Sequence, residues 1–173
     1  MGVSHTTVRS YIDLLAQTFM LRSLEPLEVN VKKRLIKSPK VYLRDTGILH
    51  SLLEIADGEE LLGHPSRGES WEGLVIENVT AAWPEWQPSF YRTAAGAEMD
   101  LILSRGRRRI AIECKASTAP VVSRGFWSAL EDIRPTEAWV IAPVSEPYPI
   151  RESVTVASLE GFLAKGLQES EAL

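Results

Sequence analysis

Apolar residues recur along the chain at two spacings, and the switches between them predict where helices and strands lie. After Ser4, placed to cap a helix, Val8, Tyr11, Ile12, Leu14 and Leu15 repeat at helical spacing to about Gln17. Residues 19–24 and 40–43 read as short strands on either side of the polar stretch 30–38. Asp45 or Thr46 can cap a short helix through Leu49, Leu52 and Leu53 that ends near Asp57-Gly58. Residues 58–66, with Gly63 and Pro65, read as a linker, so a boundary is expected near residue 60, between segments 1–60 and 61–173.

Beyond it, a helix over 69–83 is closed by Pro84. Strands follow at 90–92, 99–104 and 109–115, the last two joined by a tight turn at Arg105-Gly106. A helix over 126–133, a buried strand over 138–142, a short strand over 154–157 and a final helix over 159–165 complete the pattern. Helix, β-meander, helix and strand predict an α/β domain. The earlier order of helix, strand, basic loop and strand is that of a winged helix-turn-helix.

With 45% hydrophobic residues the chain can bury a core, and its longest apolar stretches fall short of the roughly 20 residues that a bilayer requires. No signal-peptide pattern opens the chain, so a cytoplasmic protein without a membrane partner is expected. The single cysteine, Cys114, excludes an internal disulfide and a thiolate zinc site. A net charge of −4 confines any nucleic-acid contact to local patches. Lys32, Lys33, Arg34, Lys37 and Lys40 form one such stretch, and Arg105, Arg107, Arg108 and Arg109 another; the competing reading of both is solvated faces or turns.

The candidate chemistry is acidic. On a strand, residues i and i+2 share a face, so Glu113 and Lys115 point one way while Ile110, Ile112 and Cys114 point the other. Across the predicted hairpin, Asp100 is set among Met99, Leu101, Ile102 and Leu103, where a carboxylate is costly unless paired or metal-bound. Two carboxylates and an ammonium so placed can hold a hard divalent cation on oxygen and leave the ammonium beside it. The upstream helix offers a further acid. At about 100° per residue, Glu72 borders the stripe Trp71, Val75, Val79 and Ala82, whereas Glu77 falls on the opposite, solvent side.

The runs Gly68-Glu69-Ser70-Trp71-Glu72, Phe90-Tyr91-Arg92-Thr93, Glu98-Met99-Asp100 and Ile112-Glu113-Cys114-Lys115 resemble the PD-(D/E)XK nuclease-like domain, of unknown function, at the C-terminus of a family of prokaryotic AAA+ ATPases. Residues 30–34 and 37–47 are similar to the winged-helix and connector segment of the same proteins. The resemblance implies a restriction-endonuclease-like core: a mixed sheet flanked by helices, with Asp100, Glu113 and Lys115 in the motif positions, Glu72 as the helix acid, and Mg²⁺ or Mn²⁺ as cofactor. Met99 stands where the motif name has Pro, at a position that carries no ligand. No Gly-x-x-x-x-Gly-Lys-Ser/Thr phosphate loop occurs, so ATP hydrolysis is not expected of this chain, and the winged-helix portion is expected to be partial.

Two functions follow as expectations: metal-dependent hydrolysis of DNA, or a non-catalytic module that binds DNA or protein through the segment containing Lys32, Lys33 and Arg34. An ATPase module or a second copy of the chain stays open as a further partner. Arg92 is a further candidate phosphate contact, and the competing, favoured reading is a cross-strand ion pair with Glu98. His5, His50 and His64 lie apart from the acidic set and read as structural, and the five tryptophans read as core rather than base-stacking platforms.

Overall fold

The computed structural model of the chain describes Gly2, residues 4–28 and residues 33–170, with side chains described to residue 165. Lys32, expected to contact nucleic acid, lies outside the described residues. Helix α1 (His5–Gln17) starts at Ser4, whose side chain accepts the Thr7 N–H at 3.2 Å. Strands β1 (Leu21–Leu24) and β2 (Lys40–Leu43) pair antiparallel as a separate two-stranded sheet. β1 begins two residues later than predicted because Phe19, at φ 61°, closes the helix in a left-handed turn. Helix α2 (Thr46–Leu52) is capped by Asp45, which accepts the N–H groups of Gly47 and Ile48.

The predicted linker contains a helix instead, α3 (Gly58–Gly63). Asp57 accepts the Glu60 N–H at 2.9 Å while the Glu60 carboxylate accepts the Ala56 N–H at 2.9 Å, an acidic version of reciprocal N-terminal capping. Helix α4 (Arg67–Ala82) follows and stops before Pro84.

The main sheet has six strands in the order β3-β4-β5-β6-β8-β7: β3 (Gln87–Arg92), β4 (Glu98–Arg105), β5 (Arg108–Cys114), β6 (Glu137–Ile141), β7 (Tyr148–Arg151) and β8 (Val154–Ala157). β3, β4 and β5 form an antiparallel meander, whereas β5-β6 and β6-β8 are parallel, so the sheet is mixed. The β4-β5 turn sits one residue beyond its predicted place: Arg105 pairs with Arg108, and Gly106 takes φ +59° in the two-residue connection. β7 was not predicted. Its Pro149 argues against a central strand, and it is an outer strand paired only with β8.

Helices cover both faces. On one, Val75, Ile76 and Val79 of α4 and Phe162 of α6 (Leu159–Ser170) pack on Leu101, Leu103, Ile110, Ile112 and Ile141. On the other, Phe126, Ala129 and Ile133 of α5 (Arg124–Ile133) pack on Tyr91, Met99, Ile102, Ala111 and Val140. Trp83 and Trp86 belong to the first core, in tilted contact with ring centroids 6.2 Å apart.

The outer side of β3 is taken by the N-terminal segment. Phe90 donates to the Glu25 carbonyl at 3.0 Å and Leu27 donates to the Phe90 carbonyl at 2.7 Å. Further along, Ile36 donates to the Arg92 carbonyl and Ala94 to the Arg34 carbonyl, both at 2.9 Å. Among the described residues, no helix is long and apolar enough to cross a membrane.

Candidate functional site

Glu72, Asp100, Glu113 and Lys115 line one open cleft of about 380 Å³, together with Glu98, Gly96 and Ser123. Three elements deliver them. α4 supplies Glu72, β4 supplies Glu98 and Asp100, and β5 with its first following residue supplies Glu113 and Lys115. Asp100 and Glu113 are only 8% and 6% exposed, so these carboxylates require partners.

The Asp100 Oδ2 oxygen accepts the Cys114 N–H at 3.0 Å, which locks its side chain across the two strands. Lys115 holds Glu113 Oε1 at 2.6 Å, and the Lys115 backbone N–H donates to the Ile141 carbonyl at 2.9 Å, fixing the base of its side chain against β6. Glu113 Oε2 is buried and has no partner. Burial first, then the neighbouring Asp100, pushes the Glu113 carboxyl up to about 7 against the pull of Lys115. Burial and Asp100 also raise Glu72, opposed by Lys40 and Tyr42.

Lys40 and Tyr42 were not predicted in this site. The basic stretch that contains Lys40 was read as solvated or nucleic-acid-facing, yet its ammonium lies 2.9 Å from Glu72 Oε1, 3.2 Å from Glu98 Oε1 and 3.3 Å from Asp100 Oδ1. Tyr42 donates to Glu72 Oε1 at 2.5 Å. Burial disfavours the Lys40 charge, but the attraction of Asp100, Glu72 and Glu98 outweighs it and holds the group protonated. The sequence signal was their i, i+2 spacing on β2, which puts both on one strand face.

The expected metal shell is not preassembled: among the described residues, no group of three or more His, Cys, Asp or Glu side chains is disposed to hold a metal ion as it stands. Two of the three expected ligands are turned toward Lys40, and the third toward Lys115. The donor set nonetheless fits a hard divalent cation. Its oxygens are carboxylates, and one of them, Glu113 Oε2, is buried without a partner.

Of the remaining candidates among the described residues, only Arg92 touches a residue of the cleft. Arg92 pairs with Glu98 at 3.5 Å. Glu77 is not solvated as the helical projection predicted, since Arg22 and Arg44 of the β1-β2 hairpin grip it at 2.7 and 2.5 Å. A wheel drawn on one helix has no information about a hairpin packed on its far side. Lys33 is tied to Asp132 at 2.7 Å, and with Arg34 and Lys37 it lines a separate recess of about 750 Å³. His50 shares a 2.7 Å hydrogen bond with Ser70, and His64 accepts the Ser66 N–H at 3.2 Å, both away from the cleft. In the second basic stretch, Arg105 meets Glu85, Arg108 meets Glu137 and Arg109 donates to the Ile133 carbonyl.

Residues 67–162 match the family described as Domain of unknown function (DUF4143), and residues 1–59 match the Domain of unknown function (DUF8612). Uncharacterized proteins of Mycobacterium tuberculosis and Mycobacterium bovis are each 35% identical over 166 residues, which is 96% of this chain but 38% of each relative. The chain thus spans about two fifths of the length of these curated relatives. No solved structure matches. The first match contains the four predicted residues of the cleft, whereas Lys40 and Tyr42 fall in the second.

Proposed function

We propose, for a chain that belongs to the family described as Domain of unknown function (DUF4143), that the cleft is a metal-dependent phosphodiesterase site acting on DNA, on a restriction-endonuclease-like PD-(D/E)XK core. One observation carries the reading: Glu72, Asp100, Glu113 and Lys115 line a single cleft in which a buried Glu113 oxygen has no partner. A purely structural ion-pair cluster would be expected to satisfy that oxygen.

Asp100, Glu113 and Glu72 would hold Mg²⁺ or Mn²⁺. When bound, such an ion lowers the pKa of a coordinated water and offsets charge on the scissile phosphate. In the hydrolysis, a water oxygen bonds to phosphorus as the P–O ester bond breaks, giving a phosphate monoester and a hydroxyl. Lys115 remains charged, because the pull of Glu113 outweighs the burial that would lower its pKa. Its ammonium, partly exposed at the cleft, is placed to orient the attacking water or to stabilise charge growing on the phosphate. The Cys114 N–H keeps Asp100 aimed into the cleft.

The test is incubation with plasmid and with single-stranded DNA in Mg²⁺ or Mn²⁺, beside Asp100→Ala and Lys115→Ala. Cleavage by the parent should fall by at least about 100-fold in either variant, as for loss of a preorganised charged group. No cleavage by the parent, or equal cleavage by parent and variants, would remove the reading.

A second reading has its own observation. Beside the recess, Arg34 and Lys37 offer local positive charge for a phosphate backbone without catalysis, as in a DNA-binding module of a prokaryotic ATPase. It requires salt-sensitive gel shifts that survive Asp100→Ala and weaken when Arg34 and Lys37 are replaced.

A further inference from the structure

We propose that Lys40 is the cleft's own counter-cation, holding Glu72 and Asp100 when no divalent ion is bound and giving them up when one enters. The inference rests on the metal-site reading above.

Asp100 has two oxygens, and both are committed. Oδ2 accepts the Cys114 N–H within the sheet, and Oδ1 faces the Lys40 ammonium at 3.3 Å. Oδ1 is the Asp100 oxygen not bonded within the sheet, and a cation that ligates it meets the ammonium of Lys40. The same ammonium lies 2.9 Å from Glu72 Oε1, so it contacts two of the three expected ligands at once. Glu113 Oε2, buried and unpartnered, marks the unsatisfied end of the cluster, which Lys40 does not reach. An ammonium and a divalent ion on shared oxygens repel, and the side chain able to move is the lysine, on a flexible four-carbon stem. Its ammonium also lies 5.7 Å from the centre of the buried Phe90 ring, a contact that does not depend on the carboxylates. Lys40 belongs to β2, in the segment that matches a family separate from that of the cleft's acids, so metal loading is felt directly by the N-terminal hairpin.

Mn²⁺ titrations by calorimetry on the parent, Lys40→Met and each combined with Asp100→Asn test this. Methionine keeps the packing stem and removes the charge. Mn²⁺ should bind Lys40→Met at least about tenfold more tightly than the parent, and Asp100→Asn should abolish binding in both. A second measurement needs no change at position 40: mass-spectrometric acylation of lysines in the parent should show Lys40 labelling rise several-fold on adding Mn²⁺, while Lys33, tied to Asp132, stays unchanged. Equal or weaker Mn²⁺ binding by Lys40→Met, or unchanged labelling of Lys40 in Mn²⁺-loaded parent, overturns the counter-cation role and leaves the phosphodiesterase reading standing. Failure of both parent and Lys40→Met to bind Mn²⁺ overturns the two together.

Discussion

Replacing Glu113 by glutamine should stabilise the metal-free protein at alkaline pH, and the structure sets the size of the gain. The Glu113 carboxyl is pushed from an ordinary 4.5 up to about 7, first by burial and then by Asp100. An acid whose folded pKa is raised keeps its proton in the folded chain while the unfolded chain has lost it. Stability therefore declines as pH rises from about 4.5 to about 7 and is level above that. At 1.36 kcal/mol per unit, the charged carboxylate costs about 3 kcal/mol at pH 8.5. Glutamine removes that cost, which is already net of the attraction of Lys115. Glu113→Gln should then exceed the parent by about 3 kcal/mol at pH 8.5 and fall within about 1 kcal/mol of it at pH 5. Urea unfolding in EDTA across this range measures the difference at each pH. A difference that does not change with pH, or a glutamine variant less stable than the parent at pH 8.5, would refute the argument. Adding Mn²⁺ should reverse the order, because only the parent keeps the full set of proposed ligands.

Glu77→Gln should cost about 1–3 kcal/mol by urea unfolding at pH 7, because Arg22 and Arg44 would lose their shared partner. Burial opposes the Glu77 charge, but the hydrogen bonds and charges of Arg22 and Arg44 outweigh it and hold the carboxyl below its ordinary range. Its contribution is therefore present above the ordinary glutamate pKa and lost as pH falls through the depressed value, so the difference between parent and variant should shrink in acid. Gly125→Ala should destabilise by about 1–3 kcal/mol in thermal melts, since a Cβ there collides with the Gly96 carbonyl oxygen, a backbone atom that cannot swing aside. An unchanged melting temperature would show that the turn at Gly96 moves freely relative to α5.

Elements built on local periodicity were legible in the sequence. The helices α1 and α4, the β4-β5 hairpin and the alternation of β5 all follow from spacing and punctuation that few residues determine. Two elements were missed for local reasons. Asp57 and Glu60 form a reciprocal cap that outweighed the glycines of the apparent linker, and Pro149 lies in a strand that needs hydrogen bonds on one side only. The cleft divided along another line. Glu72, Asp100, Glu113 and Lys115 could be grouped because one helix and one hairpin present them. Lys40 reaches Glu72 and Asp100 across separations of 32 and 60 residues, and Arg22 reaches Glu77 across 55. Periodicity within an element says nothing about such encounters, which depend on where the hairpin packs.

The hydrogen bonds that residues 25–27 and 34–36 make to β3 also bear on how the chain can be divided. A fragment beginning near residue 61 would keep the six-stranded sheet but leave Phe90, Arg92 and Ala94 with open main-chain donors or acceptors along a bare ribbon. Such a margin recruits ribbons from neighbouring molecules, so the shortened protein should polymerise or precipitate. The N-terminal segment thus acts as a cover strip over an edge of the larger sheet that would otherwise be open to pairing.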